Sequence, residues 1–256
     1  MKYEAIREAV FLSRPNRFIS HAVVGGDKHT VHVKNTGRCR ELFKEGAKIY
    51  LEDRGERGKN RKTRYSLVAV EKKDAGAKSG IRLVNIDSYA PNRVVGEALL
   101  AGILNLPGME YPLVRVKAEA AYGTSRFDFY AEDRKGTKAF IEVKGVTLEE
   151  RGVARFPDAP TERGVRHLGE LCHALEHGFT AFIIFVIQMK GVFRFEPNDE
   201  MHLAFGNALR EARDKGVVIL AYDCDVQPDE MTLGEPVPVV LNPMVAAQTP
   251  NVQNFK

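Results

Sequence analysis

Short apolar runs separated by turn residues fill the N-terminal third of the chain. RFISHAVVGGDKHTVHVKN carries two β-rich runs around Gly-Gly-Asp-Lys, which predicts a hairpin, and AKIYLED and TRYSLVAVEK predict two further strands. Several short strands with basic loops over about seventy residues are typical of a small closed barrel of the OB type. An SH3-like barrel would give much the same pattern, so the barrel type stays open at this point.

Beyond Asn85 the pattern changes to alternating helices and strands. NRVVGEALLAGILN (92–105) has apolar residues at helical spacing, and LVRVKAEA, SRFDFYAE and KAFIEVKGV predict three strands. A second helix opens at Thr161 and stops at Gly178, and a third covers HLAFGNALREARDKG. TAFIIFVIQ and VVILAYDCD, which follow these two helices, are apolar runs typical of buried strands. The order αβββαβαβ indicates an α/β sandwich with a mixed sheet.

These patterns divide the chain into two domains and a tail. We expect an OB-like β-barrel in residues 1–86 and the mixed-sheet domain in residues 87–228. From Pro228 onward Pro, Gln, Asn and Val dominate without periodicity, which predicts a loosely ordered tail over residues 229–256.

Composition adds an expected location and an uneven charge. No apolar stretch has the roughly 18–20 residues that span a bilayer, and no signal-peptide pattern precedes the first strand. The three cysteines lie far apart, without metal-binding or disulfide-framework spacing, which is typical of the reducing cytosol. From these two observations we expect a cytoplasmic protein with no membrane partner. Between Lys34 and Lys73, thirteen Lys or Arg stand against six Asp or Glu, although the whole chain carries only +4.

Much of this positive charge falls in one glycine-containing loop between two predicted strands. Mobile basic side chains in such a loop can neutralise phosphates and release counterions, which would favour nucleic-acid binding. The alternative is a solvated loop that charge keeps soluble. The candidate nucleic-acid-binding residues are Arg54, Arg57, Lys59, Arg61, Lys62 and Arg64.

The segment RFDFYAEDRKGTKAFIEVKG (126–145) places carboxylates and a lysine on a predicted hairpin. If residues 134–136 form a three-residue loop, with Gly136 in the left-handed conformation, Asp128 falls opposite Glu142. Lys144, two residues further along the strand, then projects from the same face as Glu142. The hairpin is therefore predicted to bring two carboxylates and a lysine together.

The apolar residues of the same hairpin support this register. It puts Phe127 and Phe129 on the face shared by Ile141 and Val143. A shift by one residue would instead bury Asp128 among these apolar side chains, at a large desolvation cost.

Adjacent carboxylates repel one another unless a cation offsets their charge. Mg²⁺ or Mn²⁺ does this with oxygen ligands, so Asp128 and Glu142 are candidate metal ligands, and Lys144 could activate a metal-bound water or stabilise a phosphate. Glu97, on the preceding helix, is the candidate third acid. The alternative is a surface ion pair of Glu142 with Lys144, with Asp128 as a third charge, since Glu-x-Lys triplets are common.

The order Glu, Asp, Glu-x-Lys in an αβββαβ core resembles the PD-(D/E)xK nuclease-like superfamily. A closer resemblance rests on RPNRF, NTGR, NRVVGEAL, YGTSRFDF, EVKGVTL and FPDAPTERGVRHLGEL, in that order between about Phe11 and Tyr222. Together these motifs resemble the sugar fermentation stimulation protein A family. The resemblance implies an OB-like barrel joined to a restriction-endonuclease-like domain. It also implies DNA binding, the property usually assigned to this family.

The helix after the Glu-x-Lys strand begins with charged residues that could approach a phosphate or the surroundings of a metal. The candidate accessory residues are Glu162, Arg163, Arg166 and His167.

Three functions stay open on the sequence. The first is a Mg²⁺-dependent nuclease that hydrolyses DNA, double-stranded and without strong sequence specificity. The second is a non-catalytic DNA-binding regulator that keeps the nuclease scaffold; its link to sugar-catabolism genes is what the family resemblance alone implies. The third is a barrel that binds protein or RNA; interleaved aromatic residues of a single-strand platform are lacking. The sequence carries no signal for an oligomeric state.

Overall fold

The structure, a computed structural model, describes residues 1–35, 37–55, 63–77, 79–123 and 125–242. Its N-terminal sheet contains β1 (Ile6–Asn16), β2 (Ile19–Val24), β3 (Asp27–Val33), β4 (Lys48–Asp53), β5 (Tyr65–Lys73) and β6 (Ile81–Asn85). Parallel pairing of β3 with β5 closes a five-stranded barrel in the order β1-β2-β3-β5-β4, and β6 adds to β5 outside it. This closure is OB-like, which confirms the prediction and decides against the SH3-like alternative.

Local sequence explains most of the barrel. Gly25 and Gly26 both have positive φ, +60° and +97°, as a two-residue hairpin turn of the primed type requires, and they join β2 to β3 where the hairpin was predicted. The first strand, β1, was not predicted. Its pairing with β2 shifts register between Phe11 and Ser13 and again before Asn16, so its polar and apolar residues do not alternate regularly.

The second domain is built on a mixed six-stranded sheet ordered β15-β14-β12-β9-β8-β7, with a small three-stranded sheet, β10-β11-β13, beside it. The strands are β7 (Arg115–Tyr122), β8 (Ser125–Glu132), β9 (Lys138–Val146), β10 (Leu148–Glu150), β11 (Val153–Phe156), β12 (Thr180–Ile187), β13 (Arg194–Pro197), β14 (Val218–Gln227) and β15 (Glu230–Pro236). Strands β9, β12 and β14 run parallel, and the outer pairs are antiparallel. The predicted mixed sheet is confirmed.

Three helices cover the two faces of this sheet. They are α1 (Ala90–Ala101), α2 (Glu162–Glu176) and α3 (Asp199–Lys215). Along β9, Ile141 and Val143 belong to the apolar cluster of α1, whereas Phe140 belongs to the cluster of α2 and α3. Helix α1 ends earlier than predicted because Gly102, with φ +67°, caps it in the left-handed conformation. Thr161 caps α2 as predicted, since its side chain accepts the Gly164 N–H.

The prediction of a loose tail is wrong for residues 230–242. Strand β15 pairs antiparallel with β14, and Val239 forms a bridge with Phe195. The Leu241 carbonyl also accepts a hydrogen bond from Arg210 Nε at 2.9 Å. An edge strand tolerates Pro and Gly, which a sequence pattern indicates as loop. The strand conformation of this segment therefore depends on its pairing with β14 rather than on its own propensity. Residues 243–256 lie outside the described part of the chain.

Polar contacts join the barrel to the second domain. Lys72 Nζ on β5 donates to Glu149 Oε2 at 2.6 Å, and the Arg38 N–H donates to Asp158 Oδ2 at 2.9 Å. The buried Gln188 amide donates to Asn85 Oδ1 at 3.0 Å. These hydrogen bonds hold the two domains against one another. Across the described residues, no helix is long and apolar enough to cross a membrane.

Candidate functional site

The loop between β8 and β9 fixes the register of the hairpin. The Asp133 N–H donates to the Thr137 carbonyl at 3.1 Å, and Gly136 between them has φ +82°. Residues 134–136 therefore form the predicted three-residue loop. Phe129 pairs with Ile141, and continuing the same register places Asp128 opposite Glu142. The predicted loop and register are therefore found as far as the pair of Phe129 with Ile141, and the pairing of Asp128 with Glu142 stays a prediction.

The prediction is wrong for Phe127, which does not share a face with Phe129. Phe129 packs on the α1 side, whereas Phe127 lies on the α2 side, 5.1 Å from the ring of Phe140. The β8–β9 ladder ends at the pair formed by Phe129 and Ile141, so pairing with β9 does not determine which face of the sheet Phe127 occupies. On the other neighbour, β7, Glu119 has a left-handed φ of +52°, which interrupts regular strand geometry.

Beyond the end of the ladder, the side-chain carboxylate of Asp128 accepts the backbone hydrogen bond from β9. Asp128 Oδ2 accepts the backbone N–H of Val143 at 2.7 Å, and Oδ1 accepts Asn92 Nδ2, from α1, at 2.7 Å. Burial raises the pKa of Asp128, and the charge of Glu142 raises it further, against smaller lowering effects from these hydrogen bonds and Lys144. Asp128 is thus a carboxylate that a neighbouring cation would stabilise.

Glu142 is the most enclosed acid of the site, with 3 % of its surface exposed. Burial alone would raise its pKa, but the hydrogen bond from His167 and the charge of Lys144 outweigh it, so the pKa is lowered. Both partners bind the same oxygen, Oε1. The other oxygen, Oε2, is buried and has no hydrogen-bond partner in the described part of the chain. A buried carboxylate oxygen without a donor needs a partner, which a water or a metal ion would supply.

His167 is itself oriented by Arg163, one helical turn earlier on α2. Arg163 Nε donates to His167 Nε2 at 3.1 Å. Since a guanidinium only donates, Nε2 is the accepting nitrogen and the proton of the imidazole lies on Nδ1, where it is donated to Glu142. Two of the four predicted accessory residues therefore belong to the site. His167 contacts Glu142 directly, and Arg163 contacts His167.

Three predicted residues lie elsewhere. Glu97 is 56 % exposed and pairs with the amino group of Met1 at 2.8 Å. Glu162 is 87 % exposed and pairs with His202 at 3.2 Å, and Arg166 lies on the surface beside Glu170. The structure therefore does not bring Glu97 to the two carboxylates. Within the described ranges no cluster of three or more His, Cys, Asp or Glu could hold a metal ion.

The rotation of α1 explains the position of Glu97 and brings Asn92 to the site instead. The exposed face of α1 carries Arg93, Glu97 and Leu100, at spacings of four and three residues. Asn92 lies on a neighbouring face of the helix with Gly96, where an added Cβ would stand 3.2 Å from the Phe129 ring. A helical count of the apolar positions could have found this face in the sequence, because Val95 and Leu99 share it and are buried.

The predicted basic loop is only partly described. Arg57, Lys59, Arg61 and Lys62 lie outside the described residues. Arg54 binds Glu52 through Nε and Nη2, at 3.0 and 2.8 Å, and Arg64 binds both oxygens of Asp53 at 2.7 Å. The charges of these two arginines are therefore paired within the barrel.

The donor set fits a hard divalent cation. Mg²⁺ is commonly held by one or two carboxylates, with water and substrate oxygens completing its six ligands. Asp128 and Glu142 supply the two carboxylates, and the unpartnered Oε2 supplies an oxygen that needs a positive neighbour. A third acid is not required for such a site.

Two protein-family models match the sequence of this chain. A model described as the SfsA N-terminal OB domain matches residues 12–79, and one described as the sugar fermentation stimulation protein RE domain matches residues 89–230. The chain belongs to the sugar fermentation stimulation protein family. The RE-domain match runs from the residue before α1 to the first residue of β15 and contains Asp128, Glu142 and Lys144.

Relatives in this family match over nearly their whole length. The chain is 48 % identical over 241 residues to a sugar fermentation stimulation protein homolog of Desulfitobacterium hafniense (strain DSM 10664 / DCB-2), covering 94 % of this chain and 99 % of the relative. It is 46 % identical to the homolog of Clostridium beijerinckii, covering 94 % and 100 %. A solved structure of Pyrococcus furiosus SfsA in complex with Ca²⁺ superposes with a TM-score of 0.77 at 26 % identity, covering 94 % and 98 %.

Proposed function

We propose that this protein is a divalent-metal-dependent nuclease that hydrolyses phosphodiester bonds of DNA at Asp128 and Glu142. The observation that carries the proposal is the buried, unpartnered Oε2 of Glu142 beside a second carboxylate whose pKa is raised. Both features are costly in an apoprotein and are relieved by a cation. The Pyrococcus furiosus relative, solved with Ca²⁺, supports an ion with oxygen ligands in this family.

Each side chain of the site has a distinct role in this proposal. Asp128 and Glu142 would hold Mg²⁺ or Mn²⁺, which when bound supplies a polarised water and neutralises charge on the phosphate. Lys144 Nζ, half-buried beside Glu142, stabilises negative charge that develops on the phosphate oxygens. His167 and Asn92 position the two carboxylates through their hydrogen bonds. Glu97 has no role in the site, because α1 turns it to the surface.

The experiment is a DNA cleavage assay with Mg²⁺ and with Mn²⁺, on wild type, Glu142→Gln and Lys144→Ala. We expect cleavage by the wild type and loss of cleavage in both variants, with binding of DNA kept. The matched control is Glu211→Gln combined with Lys215→Ala, an exposed Glu–Lys pair at 2.8 Å on α3. Wild-type activity in Glu142→Gln would refute the assignment.

A non-catalytic DNA-binding protein is the second candidate function, and one observation favours it. Only two acids meet in the described part of the site, and Lys144 already binds Glu142. This candidate predicts no cleavage by wild type under either divalent ion, with salt-sensitive binding of DNA that Glu142→Gln leaves unchanged.

A further inference from the structure

Three arginines of the barrel are exposed and have no acidic partner among the described residues. Arg17 lies in the turn between β1 and β2, and Arg38 and Arg40 follow β3. None of the three has a hydrogen bond or ion pair from its side chain to an acid among the described residues, in contrast to Arg54 and Arg64. All three line one cleft of about 730 Å³, whose wall also includes one acid, Glu45, and Ala159 of the RE domain. Unpaired guanidinium groups in a cleft form a site for anions.

A fourth arginine holds this cleft in shape. The guanidinium of Arg14 donates to the carbonyl oxygens of Arg17, Asn35, Gly37 and Arg38, at 2.9, 2.7, 2.9 and 2.9 Å. It also lies 4.7 Å from the centre of the Phe43 ring. The turn that carries Arg17 and the segment that carries Arg38 are therefore tied to one another. Because the backbone is already ordered, a ligand would pay less entropy on binding here.

The cleft adjoins a groove that is lined by residues of β9, the strand that carries Glu142 and Lys144. Gly37 lines both the cleft and a narrower groove of about 180 Å³ between the two domains. The groove is also lined by Gly145, which directly follows Lys144 on β9, and by Gln188. A Cβ at Gly145 would stand 2.6 Å from Gln188 Oε1, so the backbone approaches closely at that point. The groove and the cleft therefore adjoin at Gly37, where Asp158 also lines the groove.

We propose that a DNA strand held at Asp128 and Glu142 continues along this groove and that Arg17, Arg38 and Arg40 bind its phosphates. The proposal rests on the proposed function for the position of the reacting phosphate. It assigns the DNA backbone contact to a face that composition did not single out, since the sequence pointed to the loop containing Arg54 and Arg64. The forked guanidinium matches the oxygens of a phosphodiester, and bound phosphates release counterions.

The test is the affinity for a labelled DNA duplex of mixed sequence, measured at a series of salt concentrations. The variant is Arg17→Ala, Arg38→Ala and Arg40→Ala together. The control removes the same charge from exposed, ion-paired residues, as Lys135→Ala, Arg213→Ala and Lys215→Ala together. We expect the arginine variant to bind at least about tenfold more weakly, with a salt slope lower by roughly two to three, and the control to bind like wild type.

Equal affinity and equal slope for the arginine variant and the control would overturn the proposal. Thermal unfolding of both variants and the single change Arg40→Ala, which alters one exposed side chain, separate lost contacts from lost folding. The outcome is distinguishable from failure of the proposed function. Weak DNA binding by the arginine variant, together with intact cleavage in Glu142→Gln, refutes the metal site and supports phosphate binding by the three arginines. Loss of cleavage in Glu142→Gln, with unchanged binding by the arginine variant, refutes the cleft alone.

Discussion

His167 and Glu142, 25 residues apart in the sequence, are joined by a buried hydrogen bond from Nδ1 to Oε1. Lys144 binds the same oxygen, so all the protein donors to Glu142 are gathered on one side of the carboxylate. The other side, Oε2, is left without a partner in the described structure. The orientation of the candidate metal ligand is therefore determined by a histidine on the neighbouring helix.

Replacing His167 by Ala should weaken metal binding without removing a ligand. Partners that orient ligands typically contribute about 10–100-fold in metal affinity, because the ligand oxygen is otherwise free to rotate. We expect a loss in this range for Mn²⁺, measured by titration followed by electron paramagnetic resonance. His177→Ala, an exposed histidine at the end of the same helix, is the control and should bind Mn²⁺ like wild type. Unchanged affinity in His167→Ala would show that Glu142 is oriented without the histidine.

Replacing Asn92 by Ala should move metal binding to higher pH. The amide of Asn92 lowers the pKa of Asp128, so its loss raises that pKa and protons compete more strongly with the ion. We expect the midpoint of Mn²⁺ binding against pH to lie above that of wild type, with affinity recovering as the pH rises. The control is Asn207→Ala, on the surface of α3. A midpoint equal to that of wild type would mean that Asn92 does not act on Asp128.

The pairing of the two carboxylates could be predicted from sequence because two independent constraints agree. Gly136 selects the loop, and burial of Phe129 opposite Ile141 selects the register. Both constraints act within a single hairpin of local contacts. Thr161 as a helix start was predictable for the same reason, since a cap depends on residues of its own first turn.

The rest of the site depends on contacts between elements distant in sequence. Whether Glu97 or Asn92 faces the sheet is set by the rotation of α1, which follows from the close approach of Gly96 to Phe129. A carboxylate is a more common metal ligand than an amide, so the sequence pointed to Glu97 rather than to Asn92. Phe127 was misplaced because period-two alternation fails where the ladder ends.

The charge pattern misled in a different way. Counting basic residues does not reveal that Arg54 and Arg64 are neutralised by the acids of β4. Arg17 and Arg38 have no acidic partner in the part of the chain that the structure describes, yet they lie in separate segments of ordinary composition. Charge in a folded protein is a property of pairs, so the distribution of unpaired charge emerges only with the tertiary contacts.

Gly145 should be intolerant of a side chain, in contrast to Gly169. A Cβ at Gly145 would meet Gln188 Oε1 at 2.6 Å and Pro91 Cγ at 2.8 Å, so Gly145→Ala must displace the start of α1 from β9. We expect a loss of about 1–3 kcal/mol in the free energy of unfolding. Weaker Mn²⁺ binding should accompany it, because Asn92 lies next to the displaced Pro91.

Gly169→Ala is the matched control for this change. Gly169 is exposed on α2, with nothing within 4 Å of an added Cβ. We expect it to stabilise the protein by about 0.5–1 kcal/mol, because alanine is the better helix former. Both values are measured by denaturant unfolding followed by circular dichroism. A Gly145→Ala protein as stable as wild type would mean that the junction of α1 with β9 relaxes freely.

Asp133 should stabilise the hairpin in a pH-dependent manner. Its carboxylate accepts the backbone N–H groups of Glu110, Lys135 and Thr137 at 2.9, 2.9 and 2.8 Å, and these hydrogen bonds hold its pKa below the usual value. A group with a lowered pKa contributes stability that is fully present above its unfolded pKa and is lost as the pH falls through the folded one. Asp133→Ala should therefore lower the melting temperature most at neutral pH.

The measurement is the difference in melting temperature between wild type and Asp133→Ala across acidic and neutral pH. We expect the difference to be constant above the ordinary pKa of an aspartate and to shrink below it, because protonation removes the same interaction from the wild type. The control is Asp214→Ala, an exposed aspartate paired with its neighbour Arg213, which should change the melting temperature little at any pH. A difference independent of pH would show that the charge of Asp133 does not hold the loop, and the register that aligns Asp128 with Glu142 would then depend on Gly136 and the apolar pairs alone.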